Sequence, residues 1–236
     1  LKTIHNQLSA ILNHAVNMYG LKDNVARKAG TMGKEENKEM EFWTQEEFQA
    51  FLECVADKPI SYYAFEILYW TGIREGELLA LTPGDFNFEK KTLRINKSYQ
   101  RLEGKDVITD PKTPKSNRTI VMPDFLTIEM EDFIKSIYGI KMDDRIFTIS
   151  KSYLHHEMDR GAKLAGVKRI RIHGLRHSHI SLLINLGFSA LAIGERVGHE
   201  AVDITYRYAH LFPTVQTDMA AQLETEREAL VDVRKE

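Results

Sequence analysis

The sequence predicts a mostly helical α+β protein that contains one small, three-stranded antiparallel sheet. Apolar residues recur every three or four positions over most of the 236 residues, which is the helical period. The period changes to alternation over residues 92–99, 105–109 and 118–122, which predicts three strands. Hydrophobic residues make up 43% and charged residues 28%, so extended disorder and low-complexity architecture are excluded.

Two domains joined by a polar segment are expected. Residues 3–19 form a predicted amphipathic helix that ends at Gly20, and residues 20–41 have the composition of a linker. We place the boundary so that residues 1–36 end one domain and residues 37–236 form a second. Because the chain begins at Leu1 and not at Met, we expect it to be part of a longer protein.

Capping residues and periodicity mark the elements of the second domain. Thr44 and Glu47 have the spacing of a capping box, and Pro59 suits the first turn of a helix that extends through Trp70. A tight turn from Thr71 then enters a short helix. Further helices are predicted at about 124–138, 151–165, 174–186, 189–197 and 214–234, and the last of these is amphipathic and acidic.

Charge is unevenly distributed, although the net charge is only −2. Residues 34–53 carry seven acidic residues against two lysines, and residues 213–236 are also acidic. The stretch 160–176 holds six basic residues and no acidic one. A basic patch matters more than total charge for binding a polyanion, although a charge run alone is more often a solvated surface.

The cysteine content and the hydropathy pattern indicate the cellular compartment of the protein. A single cysteine, Cys54, excludes an intrachain disulfide and fits a reducing compartment. No apolar run approaches the ~20 residues that a membrane-spanning helix needs. The first residues form a charged helical pattern and not a signal peptide.

Several polar residues could together bind a phosphate. Arg74 lies in an apolar neighbourhood, where a guanidinium needs an anionic partner. His173 and Arg176 are three residues apart at the start of a predicted helix, where backbone N–H groups and the helix dipole favour an anion. Each residue alone also has an ordinary structural explanation, such as a helix cap for Arg74 or a core aromatic for Tyr208.

These residues lie in four short motifs, at 71–78, 173–177, 197–199 and 208–213. In order and spacing, including the nine residues from His199 to Tyr208, the motifs resemble those of tyrosine recombinases, the phage-type integrase family. The resemblance covers about residues 42–215 and implies the catalytic domain of that family. Residues 1–36 resemble the end of the core-DNA-binding domain found in integrases of phages and conjugative transposons.

The resemblance implies a site-specific recombinase that cleaves and rejoins DNA through a 3′-phosphotyrosine and a Holliday junction. The implied catalytic residues are Arg74, Lys112, His173, Arg176, His199 and the nucleophile Tyr208, with Glu77 and His177 in support. The arginines would hold the non-bridging oxygens, and Lys112 would protonate the leaving 5′-oxygen. His173 would act as acid or base beside the attacking oxygen. No metal and no other cofactor is implied.

The expected partner is double-stranded DNA carrying core or attachment sites. The candidate DNA contacts are Lys97, Arg101, Lys115, Arg118, Arg160, Lys163, Lys168, Arg169 and Arg171. We also expect a homotetramer on DNA, assembled through the C-terminal segment, and an accessory factor that sets directionality. The expected location is the bacterial cytoplasm, associated with the nucleoid and not with a membrane.

Some alternatives stay open in the sequence. Lys115 lies in the same turn as Lys112, and Tyr206 lies two residues before Tyr208. His173 and His177 have a spacing that could bind zinc, but no carboxylate or cysteine ligand lies near them in the sequence. The rival functions are a type IB topoisomerase-like enzyme, a non-catalytic DNA-binding regulator and a metal hydrolase.

Overall fold

A computed structural model describes residues 1–30, 40–110 and 116–199, together with Tyr208. The chain divides into two compact units, Leu1–Glu39 and Met40–Glu236. Within the described residues, no helix is long and apolar enough to cross a membrane.

The first unit is built on helix α1 (Lys2–Tyr19), which ends at Gly20 in the left-handed conformation, with φ 70°. A short helix α2 (Val25–Lys28) follows, inside the stretch that the sequence analysis assigned to the linker. Asn24 explains the difference, because its amide donates 2.8 Å hydrogen bonds to the Ser9 carbonyl and to the Asn13 side chain. The Asn24 side chain therefore holds the segment that follows α1 against that helix.

The second unit contains the predicted helices in the predicted order. They are α3 (Gln45–Glu53), α4 (Pro59–Thr71), α5 (Glu75–Leu78), α6 (Asp124–Ser136), α7 (Lys151–Ala165), α8 (Ile172–Asn185) and α9 (Ala190–Val197). The capping box of Thr44 and Glu47 is confirmed, and so is Pro59 in the first turn of α4. The predicted helix at 214–234 lies outside the described residues.

The strands form two small sheets. They are β1 (Phe86–Asn87), β2 (Thr92–Ile95), β3 (Ser98–Leu102), β4 (Lys105–Thr109) and β5 (Arg118–Val121). One antiparallel sheet has the order β1-β2-β5, with Leu93 opposite Ile120. The other is the hairpin β3-β4, with Tyr99 opposite Ile108. A 3₁₀ turn, Pro83–Asp85, precedes β1.

The three-stranded antiparallel sheet is confirmed, but its strands differ from the prediction. The predicted strand 92–99 breaks after Ile95, because Lys97 turns inward to Asp85 at 2.6 Å. The predicted strand 105–109 pairs with β3 and not with β5. Alternation identifies a half-buried strand without identifying its partner, and the two-residue strand β1 is too short to alternate at all.

The main core lies between the helices and the β1-β2-β5 sheet. Aromatic contacts dominate near α3 and α4, where the rings of Phe48 and Tyr69 stack at 3.7 Å. A separate apolar cluster joins α8 to α9 and consists of Ile180, Ile184, Ile193, Val197 and Tyr208. This second cluster places Tyr208 beside the residues that the four motifs predict to be catalytic.

Candidate active site

Arg74 is the N-cap residue of α5 and is held by Glu77. Helix α4 ends at Gly72, whose φ of 65° turns the chain sharply toward Arg74. The Arg74 backbone N–H donates to Glu77 Oε2 at 2.8 Å, and its guanidinium donates to Oε1 at 2.8 Å. The Arg74 side chain is 35% exposed. It is therefore less buried than the apolar sequence around it suggested, and it can reach a ligand.

Arg118 does not lie on an open surface. Its guanidinium donates to both oxygens of Glu77, at 3.1 and 2.9 Å, and its side chain is 6% exposed. Its Nε donates to the Arg196 carbonyl at 2.9 Å. The sequence analysis named Arg118 as a DNA contact, and in the structure the buried carboxylate of Glu77 draws its guanidinium inward.

Arg176 is the buried arginine of the site, at 1% exposure. It donates to the carbonyl of Gly72 at 2.6 Å and to that of Val197, which are the last carbonyls of α4 and α9. The C-terminal carbonyls of a helix lack internal partners and carry partial negative charge, so they stabilise a cation. The third nitrogen of the guanidinium, Nε of Arg176, has no hydrogen-bond partner among the described residues.

The end of α9 brings His199 and Arg74 to the same place. Gly198 is left-handed with φ 70°, which lets the chain leave the helix while His199 N–H donates to the Gly194 carbonyl at 2.9 Å. The Gly198 carbonyl accepts from Arg74 at 3.4 Å. Because Arg176 binds the neighbouring Val197 carbonyl, both arginines converge on one helix end, beside the half-buried His199.

Tyr208 is 1% exposed, and its hydroxyl is hydrogen-bonded to Nδ1 of His177. The sequence analysis placed His173 beside the attacking oxygen, and the structure brings the neighbouring His177 into hydrogen-bond contact with the Tyr208 hydroxyl. His173 is exposed, and its ring meets the edge of the His177 ring with centroids 4.9 Å apart. The two histidines lie one helical turn apart on the same face of α8, so His173 adjoins the residue that contacts Tyr208.

Positive charge exceeds negative charge around Arg176. Burial, together with the charges of Arg74 and Arg118, lowers the pKa of Arg176 to about 9, while Glu77 and Tyr208 act in the opposite direction. Burial also acts to raise the pKa of Glu77, but the hydrogen bonds and charges of Arg118 and Arg74 outweigh it and hold that pKa below its ordinary value. The single carboxylate of Glu77 thus faces several cations, and the excess of positive charge favours binding of an anion.

A cleft of about 480 Å³ opens beside Arg74. The hairpin residues Ser98 and Gln100 line it, as do Asp110 and Ser116. These last two flank residues 111–115, which carry the predicted Lys112 and Lys115 and lie outside the described part of the chain. The two ends of the lysine-bearing segment thus lie at the same cleft as Arg74.

The other predicted DNA contacts fall into two groups. Arg160, Arg169 and Lys97 are engaged in ion pairs with Glu157, Asp159 and Asp85 respectively, at 2.7, 2.7 and 2.6 Å. The exposed group comprises Arg101, Lys163, Lys168 and Arg171, together with Arg169, whose side chain is 42% exposed despite its ion pair. Arg101 is 3.8 Å from Asp106, and the Lys168 ammonium lies 5.8 Å from the centre of the Phe42 ring. The exposed group is the better suited to meet phosphates.

A buried histidine and a half-buried arginine near the site were not among the predicted site residues. His179 is 2% exposed, and its Nε2 accepts a hydrogen bond from Arg196 at 3.1 Å. Arg196 also donates to the carbonyls of Trp70 and Val121, so it ties α9 to α4 and β5. The sequence could have indicated that His179 lies near the site, because it is three residues from Arg176 and therefore shares its helix face. Nothing in the sequence identified Arg196 as the partner of His179. In the described ranges, no three His, Cys, Asp or Glu residues are grouped to hold a metal ion.

The chain belongs to the phage integrase family, whose profile matches residues 41–214. It is 32% identical over 243 residues to the ICEBs1 integrase of Bacillus subtilis (strain 168), covering 95% of this chain and 65% of that protein. A tyrosine recombinase XerC-like protein of Caldanaerobacter subterraneus is 27% identical, with coverage of 94% and 65%. The chain therefore spans 65% of the length of these two relatives.

The fold is shared with solved recombinase structures. The Tn1549 transposon integrase, in complex with a circular intermediate DNA, superimposes with a TM-score of 0.73 at 22% identity. That match covers 96% of this chain and 79% of the integrase chain. The two chains share a fold.

Proposed function

We propose that this chain is the catalytic part of a site-specific DNA recombinase that integrates or excises a mobile element. The observation that carries the proposal is the convergence of Arg74, Arg176 and His199 at the end of α9, with Tyr208 packed against the same helix. Membership of the phage integrase family and the sequence relation to the ICEBs1 integrase support it.

The scissile phosphate is proposed to bind between the two arginines. Arg74 is partly exposed at the cleft, and Arg176 keeps its Nε uncommitted to any described acceptor. Their other donors are fixed on Glu77 and on helix carbonyls, so both guanidiniums are oriented before DNA arrives. Preorganised donors of this kind each contribute roughly 3–4 kcal/mol to transition-state stabilisation when measured by removal. His199 would add a further hydrogen bond.

Tyr208 is proposed as the nucleophile. Its oxygen would form a bond to phosphorus while the bond from phosphorus to the 5′-oxygen breaks, which leaves a 3′-phosphotyrosine and a 5′-hydroxyl. The hydrogen bond to His177 offers a route for the tyrosine proton, with His173 one turn away as a second acid or base. Because the phosphoester conserves the bond energy, rejoining requires no nucleotide cofactor.

Lys112 is proposed to protonate the leaving 5′-oxygen, with Lys115 as the alternative. The proximity of Asp110 and Ser116 to Arg74 in one cleft supports a lysine from the intervening segment. Glu77 would act by orienting Arg74 and not by touching DNA.

The remaining expectations are proposals about the whole protein. Residues 1–36 would end a core-DNA-binding domain, and residues 37–236 would form the catalytic domain, with a C-terminal segment that joins four protomers on paired DNA sites. An accessory factor would choose between integration and excision. The bacterial relatives support a place on DNA in the cytoplasm.

A trapping experiment tests the activity. Duplexes bound by the 236-residue chain would first be selected from a random library, and then nicked near the bound site so that cleavage releases a short fragment. We expect a covalent adduct that survives denaturation and EDTA, carries a 3′-linked strand, and disappears in Tyr208→Phe. Tyr206→Phe is the matched control and should keep the adduct.

The rival functions give other results. Relaxation of supercoiled DNA by a monomer, without recombinant products, would indicate a topoisomerase-like enzyme. Specific binding with no adduct would indicate a non-catalytic regulator, and loss of cleavage in EDTA would indicate a metal hydrolase.

A further inference from the structure

The C-terminal end of α9 is bound by three different arginines. The last carbonyls of a helix have no donor within the helix, so they need partners from elsewhere. Three consecutive carbonyls at this end accept from three guanidiniums: Arg196 from Arg118 at 2.9 Å, Val197 from Arg176, and Gly198 from Arg74 at 3.4 Å. Two of these arginines are proposed to bind the scissile phosphate. The third, Arg118, begins β5 and lies in none of the four motifs.

Every nitrogen of the Arg118 guanidinium is hydrogen-bonded within the protein. Nε donates to the end of α9, while Nη1 and Nη2 donate to the two oxygens of Glu77 at 3.1 and 2.9 Å. The side chains of Arg118 and Glu77 are each only 6% exposed. A planar guanidinium can make all of these bonds at once, which the single ammonium group of a lysine cannot do. Arg118 is therefore fixed between α5, which carries Glu77, and α9.

The carboxylate of Glu77 connects Arg118 to Arg74. Its Oε2 accepts from the Arg74 backbone N–H and its Oε1 from the Arg74 guanidinium, both at 2.8 Å. Burial acts to raise the pKa of Glu77, and the hydrogen bonds and charge of Arg118 oppose burial more strongly than those of Arg74 do. Arg118 is thus the main partner that keeps Glu77 ionised, and the ionised carboxylate holds both the backbone and the side chain of Arg74.

Arg118 also fixes the part of α9 to which Arg176 is bound. Strand β5 and α9 exchange hydrogen bonds in both directions, because Arg118 donates to the Arg196 carbonyl and Arg196 donates to the Val121 carbonyl at 3.0 Å. The residue after Arg196 supplies the carbonyl that binds Arg176, and His199 follows directly after the helix. The position of this helix end relative to β5 therefore sets the position of the acceptor for Arg176.

We infer that Arg118 is a positioning residue for the two arginines that bind the non-bridging oxygens of the scissile phosphate. The inference rests on the proposed function. Through Glu77, Arg118 fixes Arg74, and through the end of α9 it fixes an acceptor of Arg176. The two phosphate-binding guanidiniums are thereby held at a set spacing before DNA arrives. Arg118 itself touches neither DNA nor the reacting atoms.

The test compares two nicked DNA substrates, one with the ordinary scissile phosphodiester and one with a neutral methylphosphonate, in which a methyl group replaces one non-bridging oxygen. Reaction at the neutral phosphorus develops less negative charge, so it depends less on well-placed arginines. We expect Arg118→Met to form the covalent adduct about 10²-fold more slowly than the unsubstituted chain on the phosphodiester, and within a few-fold of it on the methylphosphonate. Arg118→Lys should be intermediate, because it keeps a charge beside Glu77 and loses the bond to α9.

Lys58→Met is the matched control for a purely structural loss. Glu157 is a buried carboxylate shared by two cations, as Glu77 is, and Lys58 is one of them at 2.6 Å. This variant should react like the unsubstituted chain on both substrates. Equal slowing of Arg118→Met on the two substrates, or an unchanged rate on the phosphodiester, would overturn the inference. Should Arg118→Met not fold, Arg118→Lys carries the same test, with slowing of about 10-fold on the phosphodiester alone.

Arg74→Ala separates the inference from the proposed function. It should be slow on the phosphodiester and rescued on the methylphosphonate. If it is rescued and Arg118→Met is not, the phosphate site stands and the inference is wrong. If Arg74→Ala is not rescued, the proposed phosphate site fails, and the inference fails with it. The salt dependence of DNA binding should be unchanged in Arg118→Met, and a slope smaller by about 0.9 would overturn the inference by showing that Arg118 binds a DNA phosphate itself.

Discussion

The hydroxyl of Tyr208 is hydrogen-bonded to Nδ1 of His177, and the motif histidine His173 lies one turn earlier on the same helix. We expect His177→Ala to slow adduct formation by about 10²-fold, because it removes a hydrogen-bond partner of the proposed nucleophile. Single-turnover rates on a nicked substrate measure the change. An unchanged rate would contradict a role for His177 in accepting the tyrosine proton.

Glu77 is the carboxylate on which Arg74 and Arg118 both depend. Replacing it by Gln keeps the size and removes the charge, which leaves Arg118 buried without a counter-ion. Breaking a buried pair in this way costs about 3–5 kcal/mol of unfolding free energy. Denaturant unfolding at pH 7 measures the loss.

The same variant predicts a pH dependence. The pKa of Glu77 is lowered in the folded protein, so its stabilising contribution is present above its unfolded value of 4.5 and is lost as pH falls through the folded value. The stability difference between Glu77→Gln and the unsubstituted chain should therefore shrink below pH 4.5. A difference that stays constant to lower pH would contradict the assignment.

His179 predicts sensitivity to mild acid. Burial, with the charges of Arg196 and Arg176, lowers its pKa from 6.5 to about 3. Between those values the unfolded chain binds a proton that the folded chain excludes, so stability falls as pH decreases through this window, by about 1.4 kcal/mol per unit. His179→Gln keeps an acceptor for Arg196 and does not titrate. Its unfolding free energy should be flatter than that of the unsubstituted chain between pH 6.5 and 5.

Salt dependence separates the two groups of predicted DNA contacts. Arg171 is exposed at the start of α8, whereas Arg160 pairs with Glu157 and Asp57. Each phosphate contact contributes about −0.9 to the slope of log K against log salt. Arg171→Ala should reduce the steepness of the slope by about that amount. Arg160→Ala should leave the slope unchanged and lower the melting temperature, and the reverse result would reassign both residues.

Much of the fold could be predicted because the signals for a helix are residues close together in the sequence. Thr44 and Pro59 marked helix starts that depend only on their own turn. The pairing of β3 with β4 is local, because Glu103 and Gly104 close a two-residue turn with positive φ at both residues. The pairing of β2 with β5 could not be predicted, because it joins Leu93 to the distant Ile120. The convergence of Arg74 and Arg176 was anticipated from the motifs. The burial of Arg118 was not, since a basic residue in a sequence does not reveal where its carboxylate lies.

Arg176 donates two hydrogen bonds to the carbonyls at the ends of α4 and α9, and it is also proposed to bind the phosphate. A lysine at this position has no planar fork with which to meet both carbonyls and still face a third ligand. Inactive variants at Arg176 will therefore be poor tools for capturing DNA complexes, since they loosen the scaffold together with the chemistry. The same coupling would oppose the evolution of an inactive but folded descendant, because a chain that lost this arginine would lose contacts between α4 and α9 as well as activity.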